Sequence, residues 1–496
     1  MRAVQGVVVG VIAFACSSTA AMAAEISIEG EQLTRSSQHM TVVQDANASG
    51  GQALKLLNND RASWTFTSGT HFKRVLLALR GNQCGNPPQP HVSVKLDGTA
   101  AANQIWSSNI SAVGNYVLYE GFVEVAPGTH TLHVHMTNDF NQAPTLLNPG
   151  CSRDLFVDKV SLKDMPSMFA PDSYFNAELP ANTLIDANSA TYVERLLRYL
   201  DGAPGSGNAR YVNTTNWSSP LYVVPRQQAT VPVRVNRFHM HTPNQAAIDS
   251  LEDDQWAHVP LPSGAASSDM NEGAGFDKHL VVYQPETDTM WEFFYFNYDL
   301  QGRPQAVFGG RIKNVSQNPG HYTDPPSGPG AGYGATATSI PMMAGLQTIE
   351  ELKAGEIDHA VSFSMPNVDT GFCRWPAQRT DGGANWGPGD PLPEGIRFRL
   401  PADLNLDQFN LSDYGRMVAE AAQEHGMILV DGGGNFALRG QDPLAGPNPY
   451  PEIFDGEVAY GANGVLRNFP FDRLQALAET FPRPARCTEG PEVWIP

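Results

Sequence analysis

The sequence predicts a β-rich protein of two domains: a β-sandwich of the jelly-roll kind, then a larger α+β domain that is itself mostly strand. Three observations predict it. The chain has 496 residues, more than one hydrophobic core ordinarily serves. Residues 25–162 read as short period-2 runs cut by Asn, Asp, Gly and Pro, with no helix-period segment among them. From residue 175 onward, capped helix-period segments alternate with strand pairs.

The chain opens on a targeting pattern. Arg2 precedes an apolar run, Gly6 to Ala15, and Ala21-Met22-Ala23 follows, as in a signal peptide of residues 1–23 cleaved before Ala24. The run is too short to span a membrane. Cys16 stands where a lipidated cysteine would, but Ala13-Phe14-Ala15 is a poor lipobox. The expectation is a secreted, soluble monomer with no membrane partner.

In the first domain, "EISIEGEQL", "QALKLL", "ASWTFT", "KRVLLALRG", "HVSVKLDG", "YVLYEGFVEV", "HTLHVHMTND" and "DLFVDKVSL" are the predicted strands. About eight such strands in roughly 140 residues is the size of a sandwich. Trp64 and Trp106 read as core, and His133 and His135, alternating on one strand face, as filler. The proline-broken stretch 163–174 reads as a linker, and the second domain as 175–490.

There, "NSATYVERLLRYLDG" places Val193, Leu196, Leu197 and Leu200 at helical spacing between an Asn/Ser start and a Gly stop. "TIEELKAG" begins with the capping-box pair Thr348 and Glu351, "SDYGRMVAEAAQEHG" repeats the Ser start and Gly stop, and "FDRLQALAET" is expected as a last helix. The strand pairs are "HLVVYQ" with "TMWEFFYF" across "PETD", then "QAVFGGRIKNV", "HAVSFSMP", "GIRFRL" and "MILVDG". Gly/Pro-rich stretches at 316–336 and 381–395 have the length of binding loops.

Beyond the signal segment, four cysteines remain: Cys84, Cys151, Cys373 and Cys487. An even count in an exported chain points to disulfides. Three connectivities are open to them, and Cys84–Cys151 with Cys373–Cys487 is the one that respects the domain split. Lys and Arg number 32 against 51 Asp and Glu, with no basic stripe, which excludes nucleic acid as a partner. A neutral or cation-bridged ligand suits this charge better than a polyanion.

The stretch "TNDFNQAPTLLNPGCSRDLFVD", 137–158, crowds acids at both ends of a loop that carries Cys151. Turn chemistry alone accounts for a solvated loop, whereas a hard cation wants several oxygens from separate segments. Taken with "IEGEQL", "VKLDG" and "APGTHTLHVHMTND", it resembles the calcium-dependent xylan-binding carbohydrate-binding modules, jelly-roll families 36 and 60, over residues 25–162. The resemblance implies a calcium that meets sugar hydroxyls at Asn138, Asp139 and Asp154. It implies a second, structural calcium at Glu29, Glu31 and Asp158, joining first strand to last. Period-2 geometry puts Glu29 and Glu31 on one face. A Cys84–Cys151 bridge fits the same resemblance, since it would restrain the ligand loop. The implied partner is polysaccharide, xylan or a related plant glycan.

The second domain, through "HAVSFSMPN…RWPAQRTDG…DPLPEGIRFRL…HGMILVDGGG", is similar to a group of secreted bacterial proteins that often carry such modules; no activity comes with that similarity. Its residues offer carboxyls for glycoside hydrolysis, which needs two. Glu292 lies among aromatics, and Asp277 and Asp431 stand at ends of apolar strands. On a strand, Met290, Glu292 and Phe294 share a face, so Glu292 must face a cleft, be held protonated, or pair with a base such as Arg311 or Lys313. His359 and His279, with Arg379 to neutralise a substrate carboxylate, would instead serve a lyase. His239 and His241 would begin a metal site for an oxidase. No nucleophile elbow, P-loop or dinucleotide fingerprint occurs. The leading expectation is a secreted glycosidase held on its polymer by the first domain; the alternatives are a non-catalytic scaffold and the lyase or oxidase.

Overall fold

Strand alternation in residues 25–163 closes into two facing sheets. The structure, a computed structural model, describes residues 25–57, 59–145, 149–200, 210–239, 245–273, 275–322, 334–380, 391–479 and 488–489. The expected signal segment, Cys487 and His241 lie outside them. The first domain's strands are β1 Glu25–Glu29, β2 Thr34–Arg35, β3 Thr41–Gln44, β4 Gln52–Leu56, β5 Arg61–Ser68, β6 Phe72–Gly81 and β7 His91–Leu96. They continue with β8 Gln104–Asn109, β9 Val117–Val125, β10 Gly128–Met136, β11 Phe140–Gln142, β12 Cys151–Arg153 and β13 Leu155–Lys163. One sheet runs β3-β4-β13-β6-β9 with β1 added to β13; the other runs β2-β5-β10-β7-β8. Between them lies one apolar core that includes Leu54, Leu77, Val94, Val134, Val157 and Leu162. The eight expected strands are all present. Of the unpredicted strands, β2, β3 and β8 are edge strands, which bury little and so leave a weak alternating pattern, and the short β11 and β12 pair with each other. Trp64 and Trp106 pack against the core as expected.

The second domain has two larger sheets. One sets Phe308–Lys313, Thr289–Phe294, Leu280–Gln284, Ser219–Val223 and Gln441–Asp442 side by side. The other sets Arg210–Asn213, Phe436–Arg439, Val361–Met365, Met427–Gly432, Arg397–Arg399 and Gln475–Ala476. The helix Ser189–Leu200 buries Val193, Leu196, Tyr199 and Leu200, the predicted face with one tyrosine for Leu197. Thr348 and Glu351 form the predicted capping box of Ile349–Ala354, and the Ser412 side chain caps Asp413–Glu424. The expected helix at 471–480 is overturned. Only Phe471–Arg473 makes a short 3-10 turn, because Gln475 and Ala476 pair with Arg399 and Phe398 and the Ala476 amide donates to the Ser189 hydroxyl. Tertiary pairing there overrides helix propensity.

The segment read as a linker is partly built in: β13 ends at Lys163, but Phe169 and Phe175 already belong to the second domain's core. A buried ionic contact joins the domains. Arg74 of β6 reaches Glu120 of β9 at 2.6 Å and Glu286 of the second domain at 2.6 Å, with Glu120 fully buried. The Gln227 side chain pairs with both the N–H (3.0 Å) and the C=O (2.7 Å) of Glu120, and the Arg226 amide donates to its carboxylate at 2.8 Å. Between the domains opens a cavity of about 1080 Å³, bordered by Glu124 of the sandwich and by Met168, Tyr222, Glu351, His359 and His425 of the second domain.

Candidate functional site

At one rim of the sandwich, β13 carries a bulge between Val157 and Lys159, and Asp158 is the extra residue. A bulge re-aims its side chain. Asp158 Oδ1 accepts from the Ser49 amide and hydroxyl, both at 2.9 Å, and the same hydroxyl lies 2.9 Å from Glu29 Oε2. The sequence turns hard beside it: a β-carbon on Gly30 would stand 1.9 Å from the Val157 carbonyl oxygen, so only glycine fits against the bulge. The period-2 argument for Glu29 and Glu31 therefore fails in detail, since β1 ends at Glu29 and Gly30–Gln32 is a 3-10 turn. Both glutamates still converge, flanking Gly50, and Glu31 Oε2 is buried without a hydrogen-bond partner among the described residues. The donor set, carboxylate and hydroxyl oxygens, is that of a hard cation. No group of three or more His, Cys, Asp or Glu among the described residues is close enough to hold a metal as it stands.

The loop of residues 137–158 is tightly braced. Cys84 and Cys151 form a disulfide with Cα atoms 5.7 Å apart. Arg153 donates to the carbonyl of Cys84 at 3.0 Å and to those of Asn138 and Pro87. Asn138 is occupied, its Oδ1 accepting from the His91 amide at 2.6 Å and its Nδ2 donating to the Gln89 carbonyl at 3.0 Å. Asp154 is also occupied, contrary to a carboxylate left open to a cation: it is buried, 3.0 Å from Lys55 Nζ, and accepts from Asn82 at 2.9 Å and Ser152 at 2.7 Å. The half-buried Asp139 is held by its amide, which donates to Asn59 Oδ1 at 2.9 Å, and its carboxylate makes no hydrogen bond among the described residues. Cys373 is disulfide-bonded too, while Cys487 lies outside the described residues.

In the second domain the sequence candidates separate. Glu292 is fully buried: Oε1 accepts from the Ala335 amide at 2.7 Å and Oε2 from the Met342 amide at 2.6 Å. Burial raises its pKa against those donors. Arg311 is not its partner, because that guanidinium pairs with Asp254 at 2.9 Å. Glu292 faces no cleft; it organises the backbone of 334–342. Arg379 staples the same segment through the carbonyls of Gly334, Thr336 and Ala337, with its guanidinium over the Phe308 ring. His359 lies in the interdomain cavity, Nε2 3.2 Å from Glu351 and Nδ1 3.0 Å from the Ala360 carbonyl. Burial disfavours its charge, but Glu351 more than offsets this and raises its pKa. With both nitrogens engaged, His359 is a poor base, and Arg379 is committed elsewhere; the structure does not assemble the lyase pair.

Asp277 is placed differently. It follows Phe276 just before the strand Leu280–Gln284, enclosed by protein on most sides, yet its side chain keeps partial solvent contact. Its carboxylate makes no hydrogen bond or ion pair among the described residues. Burial pushes its pKa up to about 6, against a lowering by Arg439. Around it, Arg439 pairs with Asp431, and His279 Nε2 donates to the Ala335 carbonyl at 3.2 Å. Burial and Arg439 push His279 down to about 3, so it is neutral at physiological pH. Two acids that the sequence reading missed join the group. Asp269 rises to about 6 by burial, and the charges of Asp277 and Glu272 add to that. Asp442, whose Oδ1 accepts from the Leu444 amide at 2.9 Å, rises to about 6 by burial and by the charge of Asp269. Neither sits in a motif; the "QDP" turn before Leu444 signals only a cap.

No protein-family model matches the chain and no curated protein matches it. Among solved structures, it is similar to the CBM36-1 domain of a multidomain xylanase from the hindgut metagenome of Trinervitermes trinervoides, at 16% identity over 28% of this chain and 96% of that one, TM-score 0.21. A carbohydrate-binding module CBM36 in complex with calcium and xylotriose matches at 13% identity over 28% and 98%, TM-score 0.21. A family 35 module from Clostridium thermocellum matches at 13% identity over 28% and 98%, TM-score 0.21.

Proposed function

We propose that the chain is a secreted carbohydrate-active protein whose second domain hydrolyses glycosidic bonds with Asp277 as general acid, while the sandwich holds xylan or a related plant glycan through calcium. The observation that carries it is Asp277: a carboxyl with no partner among the described residues, partly open to solvent, held near pKa 6. A carboxyl in that range is still protonated often enough to donate and ionises readily afterwards. Asp277 gives its proton to the glycosidic oxygen as the bond from that oxygen to the anomeric carbon breaks; water then bonds to the anomeric carbon and gives its surplus proton to the Asp277 carboxylate, which restores the acid. Asp431 is held by Arg439, whose guanidinium also acts on Asp277 and lowers its pKa, so Arg439 links the two carboxyls.

At the sandwich rim, Glu29, Glu31, Asp158 and the Ser49 hydroxyl are the residues that would hold a structural calcium, and the unpartnered Glu31 oxygen supports this fit. In the ligand loop the reading rests on Asp139, since Asp154 is committed to Lys55 and Asn138 to backbone. Calcium there would present open coordination positions to vicinal hydroxyls. The full-length protein, incubated with a panel of neutral polysaccharides, should release reducing ends without the absorbance of unsaturated sugars. Chelator should abolish its retention in polysaccharide gels. Unsaturated products, or no release from any polymer, would reject the hydrolase assignment; retention unchanged by chelator would reject the calcium bridge.

A further inference from the structure

We infer that Trp217, Phe276 and Asp269 form a sugar-binding subsite beside Asp277, shaped for a ring of a neutral glycan. This rests on the hydrolase reading of Asp277 and extends it to substrate recognition. Trp217 and Phe276 stack face to face, centroids 4.9 Å apart and planes 19° from parallel. Trp217 is nonetheless 44% exposed, an aromatic left at the surface in the otherwise polar stretch "NTTNWSS". The outer face of the stacked pair offers a flat apolar surface on which a ligand ring can lie.

Asp269 fastens the platform to the acids. Its Oδ2 accepts from the Trp217 amide at 2.8 Å, while Oδ1, in a residue only 9% exposed, has no hydrogen-bond partner among the described residues. A buried carboxylate oxygen without a donor is unfavourable, and the fold bears that cost to hold the Trp217 amide, and so the ring, in place. The surrounding backbone is held out of its preferred regions. Trp217, Asp269, Lys278 and Tyr295 have φ of 49, 53, 50 and 55°, the left-handed region that bulky residues avoid. Strain of this kind persists where the fold over-determines a functional geometry.

Charge then selects the ligand. Asp269, Asp277, Asp442 and Glu272 repel carboxylated or sulfated sugars, and a flat aromatic face offers a neutral ring its apolar side. The ligand class is therefore a neutral glycan, with uronic-acid polymers excluded.

The test uses the full-length protein with chelator present, so that any calcium-dependent binding by the sandwich is silent. Trp217→Asn removes the ring but keeps a residue at ease at positive φ, and Trp217→Phe restores an aromatic face. Loss of the stack should raise KM for neutral oligosaccharides about tenfold with kcat nearly unchanged, Trp217→Phe should recover most of it, and Asp269→Asn should weaken binding likewise. Oligouronates should neither bind nor compete. Unchanged KM in a folded Trp217→Asn variant, or competition by oligouronates, would overturn the subsite. If the wild type binds neutral oligosaccharides through Trp217 but cleaves none, the hydrolase reading fails and the subsite stands; if it neither binds nor cleaves them, both fail.

Discussion

At the scale of single residues, two buried carboxyls with raised pKa values make opposite demands on the protein. Asp277 has a folded pKa of about 6 against an ordinary 3.8. The folded state therefore binds more protons than the unfolded one between those values, so this residue subtracts stability progressively as pH rises from about 4 to above 6. Asp277→Asn removes that penalty. Because the group keeps some solvent contact, the gain should be on the order of 1–2 kcal/mol above pH 6 and vanish below pH 4, read as Tm against pH. The same variant should lose about 100-fold or more in turnover, and wild-type activity should fall as pH rises through 6. A variant that is both less stable and fully active would remove Asp277 from the mechanism. Glu292→Gln should do the reverse. Its two oxygens accept two backbone amides, and an amide side chain turns one acceptor into a donor facing a donor. We expect about 1–3 kcal/mol less stability in thermal melts, with normal turnover per folded molecule.

At the scale of elements, the bulge in β13 and the braced loop before it carry the proposed calcium and glycan binding. Calcium should raise Tm in the wild type by mass action and raise it less in Asp158→Asn and Glu31→Gln, which keep only the site at Asp139, since a ligand stabilises only the state that binds it. Equal shifts in all three proteins would dissociate these acids from the ion. The Cys84–Cys151 bridge spans a sequence separation of 67, and closing a loop of that size is worth about 4 kcal/mol in the entropic account. Its removal by a double Cys→Ala change should lower stability accordingly in denaturant titrations. The sandwich strands were legible because each buries one face, and the helices because Thr348 and Ser412 are local signals. The last expected helix was not, because nothing local announces that Gln475 and Ala476 will pair with Arg399 and Phe398. Among site residues, Asp277 was visible as an acid at a strand end. Asp269, Asp442 and Arg439 were invisible because they meet it only through the fold, and Glu292 misled because aromatic neighbours signal burial equally well for a structural carboxylate. Glu29 and Glu31 converge for a reason other than period-2 alternation: a glycine that lets the chain hug a bulge.

At the scale of the whole molecule, the contact of Arg74 with Glu120 and Glu286 decides whether the sandwich is a tethered module or a fixed part of one body. Tethered domains meet through polar, loosely packed interfaces and move. Here Glu120 is fully buried and Arg74 nearly so, and Gln227 reads the backbone of β9 as a neighbouring strand would. Glu286 lies in the turn between Leu280–Gln284 and Thr289–Phe294, two strands of the sheet beside Asp277, so the ion pair ties the sandwich to the sheet next to Asp277. A polymer held at the sandwich rim would then enter the second domain at a fixed angle, beyond the gain in local concentration that a flexible tether provides. The energetics make this testable. Replacing Arg74 by Met keeps much of the volume but strands Glu120 as an unpaired buried charge, which costs about 3–5 kcal/mol. Glu286, partly exposed, should matter less, and Glu286→Gln should cost about 1 kcal/mol or below. Calorimetry of the wild type should show the two domains unfolding in one transition, and Arg74→Met should split it, with the sandwich melting at lower temperature. Turnover on short soluble oligosaccharides should survive that change, while turnover on the polymer falls, because only the polymer must reach both domains at once. Two separate transitions in the wild type, or an Arg74→Met protein that melts unchanged, would return the sandwich to the status of an independent module.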